Sequence, residues 1–226
     1  MKTMIVYHGS DHIVKTPVYH GGKRTNDYGY GFYTTESPDL AKEWACARDI
    51  DGFANQYELN TEGLKVLNLN SPKYTILNWL AVLTKFRSYW QRSSLSEEAK
   101  NYLQDHFYVD VEQYDLIIGY RADDSYFSFA QDFISGAISL QKLSEAMRLG
   151  KLGEQIVLKS KRAFEQISFL DAEPAMAEKF YEKKVARDLE ARRAYRATRG
   201  ITDEVSGLFM IDIMRERIEN GDPRIR

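Results

Sequence analysis

Residues 4–8, Met-Ile-Val-Tyr-His, form a run of bulky side chains that ends in the small polar pair Gly9-Ser10, the pattern of a short buried strand opening into a loop. Residues 11–27 are polar, contain glycine and carry His12, His20, Lys23 and Arg24 without periodicity. They predict a long loop, and loops of that length usually serve a function. A second short strand is predicted over residues 32–35. Ser37-Pro38 then supplies an N-cap and a first-turn proline for a helix through Leu40, Ala41, Trp44 and Ala45. Strands over residues 56–59 and 65–69 complete a β-rich first half.

From residue 74 to 105 the apolar period becomes helical, with Ile76, Leu77, Leu80, Leu83 and Phe86 on one stripe and Ser96 expected to cap a second segment. Strand character returns at 116–119. An acidic turn, Arg121-Ala122-Asp123-Asp124, leads into helical segments near 127–134 and 139–147, and strands are predicted at 155–158 and 167–169. Beyond Pro174, residues 179–199 are dense in charge of both signs and place Tyr181, Val185 and Leu189 four apart, which predicts an amphipathic helix laid on the body, the favoured placement, or on a partner. The pattern as a whole is that of an α+β fold, with one domain over residues 1–170 and a C-terminal helical extension over 171–226.

Composition narrows the function classes. The 226 residues suffice for a sizeable core, and 15 Tyr with 11 Phe are enough to supply stacking surfaces as well as packing. A net charge of -2 argues against a chain whose main task is gripping a phosphate backbone. The single cysteine, Cys46, excludes an internal disulfide framework, and with only four histidines no metal site is expected. A reducing cytoplasm fits that usage. The N-terminal apolar run is too short for a signal peptide, and no stretch approaches the ~20 apolar residues of a membrane span, so no membrane partner is expected.

Two segments carry candidate chemistry. Tyr7-His8-Gly9-Ser10 and Gly29-Tyr30-Gly31-Phe32-Tyr33-Thr34-Thr35 each set a polar, ring-bearing side chain on a short strand beside glycines, which suggests a nucleotide cleft. His8 would offer a ring nitrogen to a hydroxyl and Tyr33 a flat face to a planar base. Gly29-x-Gly31-x-x-Thr34 superficially matches a dinucleotide fingerprint, but its glycines precede a strand instead of opening a helix, so a Rossmann site is rejected. Asp123-Asp124 reads as a helix cap, not a cation site, and Cys46 lacks a neighbouring histidine in sequence that would make it a nucleophile.

Taken together with Glu154-Gln155-Ile156-Val157-Leu158, these segments resemble, in order, the three core strands of the poly-ADP-ribose polymerase-like ADP-ribosyltransferases. More closely, the chain resembles the bacterial family domain of unknown function 3990, through residues 7–10, 27–35, 122–124, 155–157 and the tail 211–216. The resemblance implies a split β-sheet core with inserted helices and a helical appendage. It implies NAD as a substrate whose ADP-ribose passes to an unknown acceptor, protein or nucleic acid, in a mono-ADP-ribosyltransferase of toxin or phage-defence type, and so a neutralising antitoxin partner.

By the same resemblance His8 binds a ribose hydroxyl, Gly9 the nicotinamide amide, Ser10 the ribose, and Tyr33 stacks on nicotinamide, with Gly31, Tyr28 and Arg24 also at the cofactor. Glu154 or Gln155 sits opposite the reacting carbon. Since strand side chains alternate, only one of the two can face the cleft, and the closer family's Gln-x-Val pattern selects Gln155. An amide there lacks the charge of a carboxylate, which leaves open a catalytically weak binding module of the same fold. A transferase of RNA 2′-phosphate is a third reading, one that needs basic residues such as Lys23, Arg24 and Arg121 in the cleft.

Overall fold

The structure is a computed structural model that describes residues 3–87, 93–122, 124–148, 153–198 and 207–226. Two sheets organise it. Strand β1 (Thr3–Ser10) pairs antiparallel with β3 (Gly52–Asn60), and β3 with β7 (Ile167–Ala175), in the order β1-β3-β7. The second sheet has the order β2-β6-β5-β4, from β2 (Phe32–Thr34), β6 (Glu154–Leu158), β5 (Leu116–Tyr120) and β4 (Val66–Asn68), with β4 parallel to β5 and the other pairs antiparallel. A backbone bridge joins the sheets: Tyr7 donates to the Thr35 carbonyl at 2.7 Å and Thr35 to that of Tyr7 at 2.9 Å. No β-rich half closes on itself, because β3 finds β7 and β4 finds β5 across more than forty residues of chain. The result is an α+β architecture.

Alternation along β6 divides the interior. Ile156 and Leu158 turn toward Val6, Tyr57 and Leu59 between the sheets, while Val157 turns the other way into the larger core. That larger core is closed by helices α2 (Ile76–Phe86), α3 (Ser94–Phe107), α4 (Asp124–Ile134), α5 (Leu140–Ala146) and α8 (Met210–Arg215), which follow α1 (Pro38–Ala45) and are interleaved with α6 (Lys161–Glu165) and α7 (Ala177–Thr198). Burying an apolar side chain of this size contributes about 1.5–3 kcal/mol, so the wholly buried Leu77, Trp79, Leu80 and Leu83 anchor α2 far more strongly than its helix propensity does.

Caps set the helix starts. Ser37 accepts from the Leu40 N–H at 3.2 Å with Pro38 in the first turn, as expected. The second segment is capped by Ser93, not Ser96: Ser96 lies inside the first turn and donates its N–H to Ser93 Oγ at 3.1 Å. The strand expected over 167–169 runs on to Ala175. Its added residues include Asp171, Glu173 and Pro174, which a strand tolerates at a sheet edge where one face meets water. Two residues later α7 begins, its Ala177 N–H held by Asp51 at 2.7 Å. Among the described residues no helix is long and apolar enough to cross a membrane.

Candidate functional site

A cleft of about 810 Å³ opens where the two sheets meet. One wall is the end of β1 with His8 and Gly9; another is the loop after it, through Val14, Val18, Gly22 and Asp27; Gly31, Tyr33 and Gln155 form the floor, and Trp44, Arg87, Arg121 and one face of α7 complete it. The long loop is fixed at both ends. At the start, buried Asn55 on β3 accepts from the Val14 N–H at 2.9 Å and donates to the His8 carbonyl at 3.2 Å and to Ser10 Oγ at 3.1 Å. At the far end, buried Lys159 donates to the carbonyls of Tyr28 (2.8 Å) and Tyr30 (2.7 Å) and to Glu112 (2.8 Å). Between them the rings of Tyr19, His20 and Tyr30 stack in sequence, at 3.9 and 5.1 Å.

His8 is half-buried, with its ring 4.3 Å from that of Phe32. Nδ1 lies 2.7 Å from the Tyr33 carbonyl, which can only accept, so Nδ1 carries the proton. Burial holds the imidazole below its ordinary pKa against the opposing pull of that hydrogen bond, with His12 adding to the depression. The neutral ring therefore keeps Nε2 as a bare acceptor on a residue that lines the cleft.

Tyr33 lines the cleft with its ring but not with a free hydroxyl. That hydroxyl accepts from the Tyr28 N–H at 3.1 Å and donates to the Gly29 carbonyl at 2.7 Å, closing the loop onto the strand that follows it. Burial raises its pKa far above the ordinary phenol range. Tyr28, expected at the ligand, is wholly buried; its hydroxyl donates to the Tyr120 carbonyl at 2.6 Å, which leaves the side chain a brace between loop and β5.

The register of β6 places Gln155 opposite Gly119 and beside the cleft, with only 4% of its surface exposed. Its Nε2 donates to Asp27 Oδ2 at 3.2 Å, and its buried Oε1 has no protein partner. Asp27 is buried too: Oδ1 accepts from Arg87 Nε at 2.7 Å and Oδ2 from the Ala122 N–H at 2.9 Å. Glu154 faces outward and accepts from Asn70 Nδ2 at 2.6 Å.

The remaining expected residues are spread more widely. Gly9 and Gly31 line the cleft, yet each is glycine for the sake of its own protein neighbours: a Cβ at Gly9 would stand 2.0 Å from the Ala41 carbonyl oxygen of α1, and one at Gly31 2.5 Å from Val157 Cγ1. Ser10 hydrogen-bonds back to the His12 carbonyl. Arg24 and Lys23 are exposed and do not line the cleft, whereas Arg121 does, with its guanidinium 4.6 Å above the Trp44 ring. Cys46 is buried at the end of α1 and its thiol donates to the Ala175 carbonyl at 3.3 Å; burial pushes its pKa up, so it is a poor nucleophile. Asp123 lies outside the described residues.

Sequence reasoning assigned no role to Asp27, Arg87, Trp44, Asn55 or the cleft face of α7. Asp27 alone had a local signal, as a lone carboxylate abutting the Tyr-Gly-Tyr-Gly run. A family model described as "Protein of unknown function (DUF3990)" matches residues 4–169. No curated protein and no solved structure matches.

Proposed function

The chain belongs to the DUF3990 family, and from that premise we propose that its cleft binds NAD and that the protein is a mono-ADP-ribosyltransferase of toxin or phage-defence type. The two sheets then correspond to the split core of such an enzyme. The observation that carries this reading is the buried, unpartnered Oε1 of Gln155, which lines the same cleft as the bare Nε2 of His8. A buried polar atom without a partner is uncommon enough to call for one. Two neutral acceptors in one cleft suit the hydroxyl groups of a ribose, and the ring of Tyr33 suits the flat nicotinamide.

In the reaction the bond between the nicotinamide nitrogen and the ribose C1′ breaks, and its electron pair goes to the ring, which leaves neutral. The acceptor's nucleophile closes on C1′ and gives up its proton to solvent. Positive charge grows on the sugar as the bond lengthens, so groups that hold the ribose hydroxyls more firmly at that point lower the barrier. Gln155 is uncharged, but the Asp27 carboxylate stands one hydrogen bond behind it and polarises the amide toward Oε1. Arg87 offsets part of that charge, which favours slow turnover.

Incubating the purified protein with NAD labelled in its adenine, together with cell lysate, tests this. Label on a macromolecule with release of nicotinamide is expected. The amide at position 155 also favours a second reading, a binding module that holds NAD or ADP-ribose without cleaving it. Saturable binding with no nicotinamide release would select that module instead.

A further inference from the structure

Helix α7 lies beyond residues 4–169, yet Tyr181, Lys184, Val185, Asp188 and Leu189, spaced to share one helical face, all line the cleft. The adjacent face grips α1. Lys183 pairs with Asp39 at 3.3 Å and Arg187 with Glu43 at 2.7 Å, so the partners advance four residues together on both helices. This fixes α7 parallel to α1 in one register, and because Glu43 is 3% exposed, the second pair is shielded from water and salt. The same register turns Lys184 toward the cleft, as Trp44, next to Glu43, is turned from the other helix.

Three donors line the cleft near the end of α1, where Lys184 acts electrostatically on Cys46, two residues past Trp44. The Trp44 indole N–H is buried without an acceptor, and Arg121 lies over the same ring. Half-buried Lys184 has no ion-pair partner among the described residues. Both carboxylates of the cleft already have cationic partners, Asp27 in Arg87 and Asp188 in Arg192 at 2.7 Å. The indole N–H and the ammonium, neither with a partner among the described residues and both lining a cleft that also holds the Arg121 guanidinium, ask for an anion with several oxygen acceptors.

We propose that this end of the cleft is a diphosphate subsite, in which Lys184 and Arg121 hold the phosphates of a nucleoside diphosphate and Trp44 donates its indole N–H, so that α7 supplies part of the ligand site. The inference rests on the reading of the cleft as an NAD site, whose diphosphate it places.

Calorimetric titration of the full chain with ADP and, separately, with adenosine tests it. ADP should bind more tightly than adenosine, and Lys184→Gln should weaken ADP about tenfold while leaving adenosine unchanged. Lys184→Arg should retain most of the affinity, and Lys179→Gln, which alters an exposed α7 charge that neither lines the cleft nor pairs with α1, should bind ADP as the parent does. Equal ADP affinity in Lys184→Gln and the parent overturns the subsite, as does an equal loss in Lys179→Gln, or ADP binding no tighter than adenosine. Failure here is distinct from failure of the transferase reading. Lys184-dependent ADP binding without nicotinamide release leaves the subsite standing alone, and nicotinamide release indifferent to Lys184 does the reverse.

Discussion

The side-chain amide of Gln155 donates to the buried carboxylate of Asp27 across 3.2 Å, and this contact decides which way the amide faces. A carboxylate only accepts, so nitrogen must face it and the oxygen is left for the cleft. Gln155→Ala should therefore abolish NAD turnover, and Glu154→Ala, whose carboxylate is occupied with Asn70 at the surface, should be nearly silent. Loss of turnover in the second variant with retention in the first would show that the wrong face has been assigned.

Asp27 also reverses the outlook for Gln155→Glu, which on chemistry alone would supply the missing charge. The variant sets two buried carboxylates against each other. Repulsion and burial raise the new carboxyl's pKa above the ~4.3 of an unfolded chain, so the folded state binds more protons in that window and stability falls as pH rises from about 4 to 7. A loss of about 1–3 kcal/mol at pH 7 relative to the parent is expected, recovered in part by adding Asp27→Asn. Urea unfolding of variant and parent at pH 5 and 7 measures it, and a stability difference between them that is the same at both pH values would refute the contact.

His8 makes a prediction of opposite pH sense. Because burial depresses its pKa, the folded protein resists protonation at a site that titrates near ~6.5 when unfolded. The stability gained from the neutral ring is present above about pH 6.5 and is lost as pH falls through and below it. Ligand affinity should fall in the same direction, since protonation turns Nε2 from acceptor to donor. His8→Asn, whose amide can still donate to the Tyr33 carbonyl, should keep the fold, lose the acid-side dependence and lose turnover; an unchanged pH profile would exclude His8 as its source.

Tyr33 separates ring from hydroxyl. Tyr33→Phe keeps the stacking face but strands the Tyr28 N–H, and should lower stability by about 1–3 kcal/mol with NAD affinity largely preserved. Tyr33→Ala should lose affinity and loosen the loop together, so the change to Phe is the one that isolates the hydroxyl. A Phe variant as stable as the parent would contradict the role of the hydroxyl as a loop tie.

Gly9→Ala should damage the fold before it damages binding. With the added methyl 2.0 Å from the Ala41 oxygen, α1 must move away from β1, and a loss of about 3 kcal/mol or more is expected in thermal or urea unfolding. A well-folded variant with only a binding defect would restore the glycine to a ligand-contact role.

Local rules read the local features well. Ser37-Pro38 marked the start of α1, and alternation on 154–158 put Gln155 and Val157 on one face. What escaped was made by distant chain: Asp27 matters because Arg87 and Ala122 arrive 60 and 95 residues later. The charged residues 179–199 read as a helix on the body or on a partner, but the pairing with Asp39 and Glu43 that turns one of its faces into the cleft has no local signature. Ser93 and Ser96 are both acceptable caps by type, and only the observed Ser96 N–H to Ser93 Oγ bond separates them. The extension of β7 through Asp171 and Pro174 was hidden because an edge strand need not alternate cleanly.

The reciprocal bond pair between Tyr7 and Thr35 sits where the two sheets meet, behind the floor of the cleft, and so acts as the spine along which they would part. Its two amide protons can trade with deuterium from solvent only when that spine gives way. Their exchange rates therefore clock the opening of the cleft directly, and a ligand that touches His8 on one sheet and Gln155 on the other would slow both clocks together.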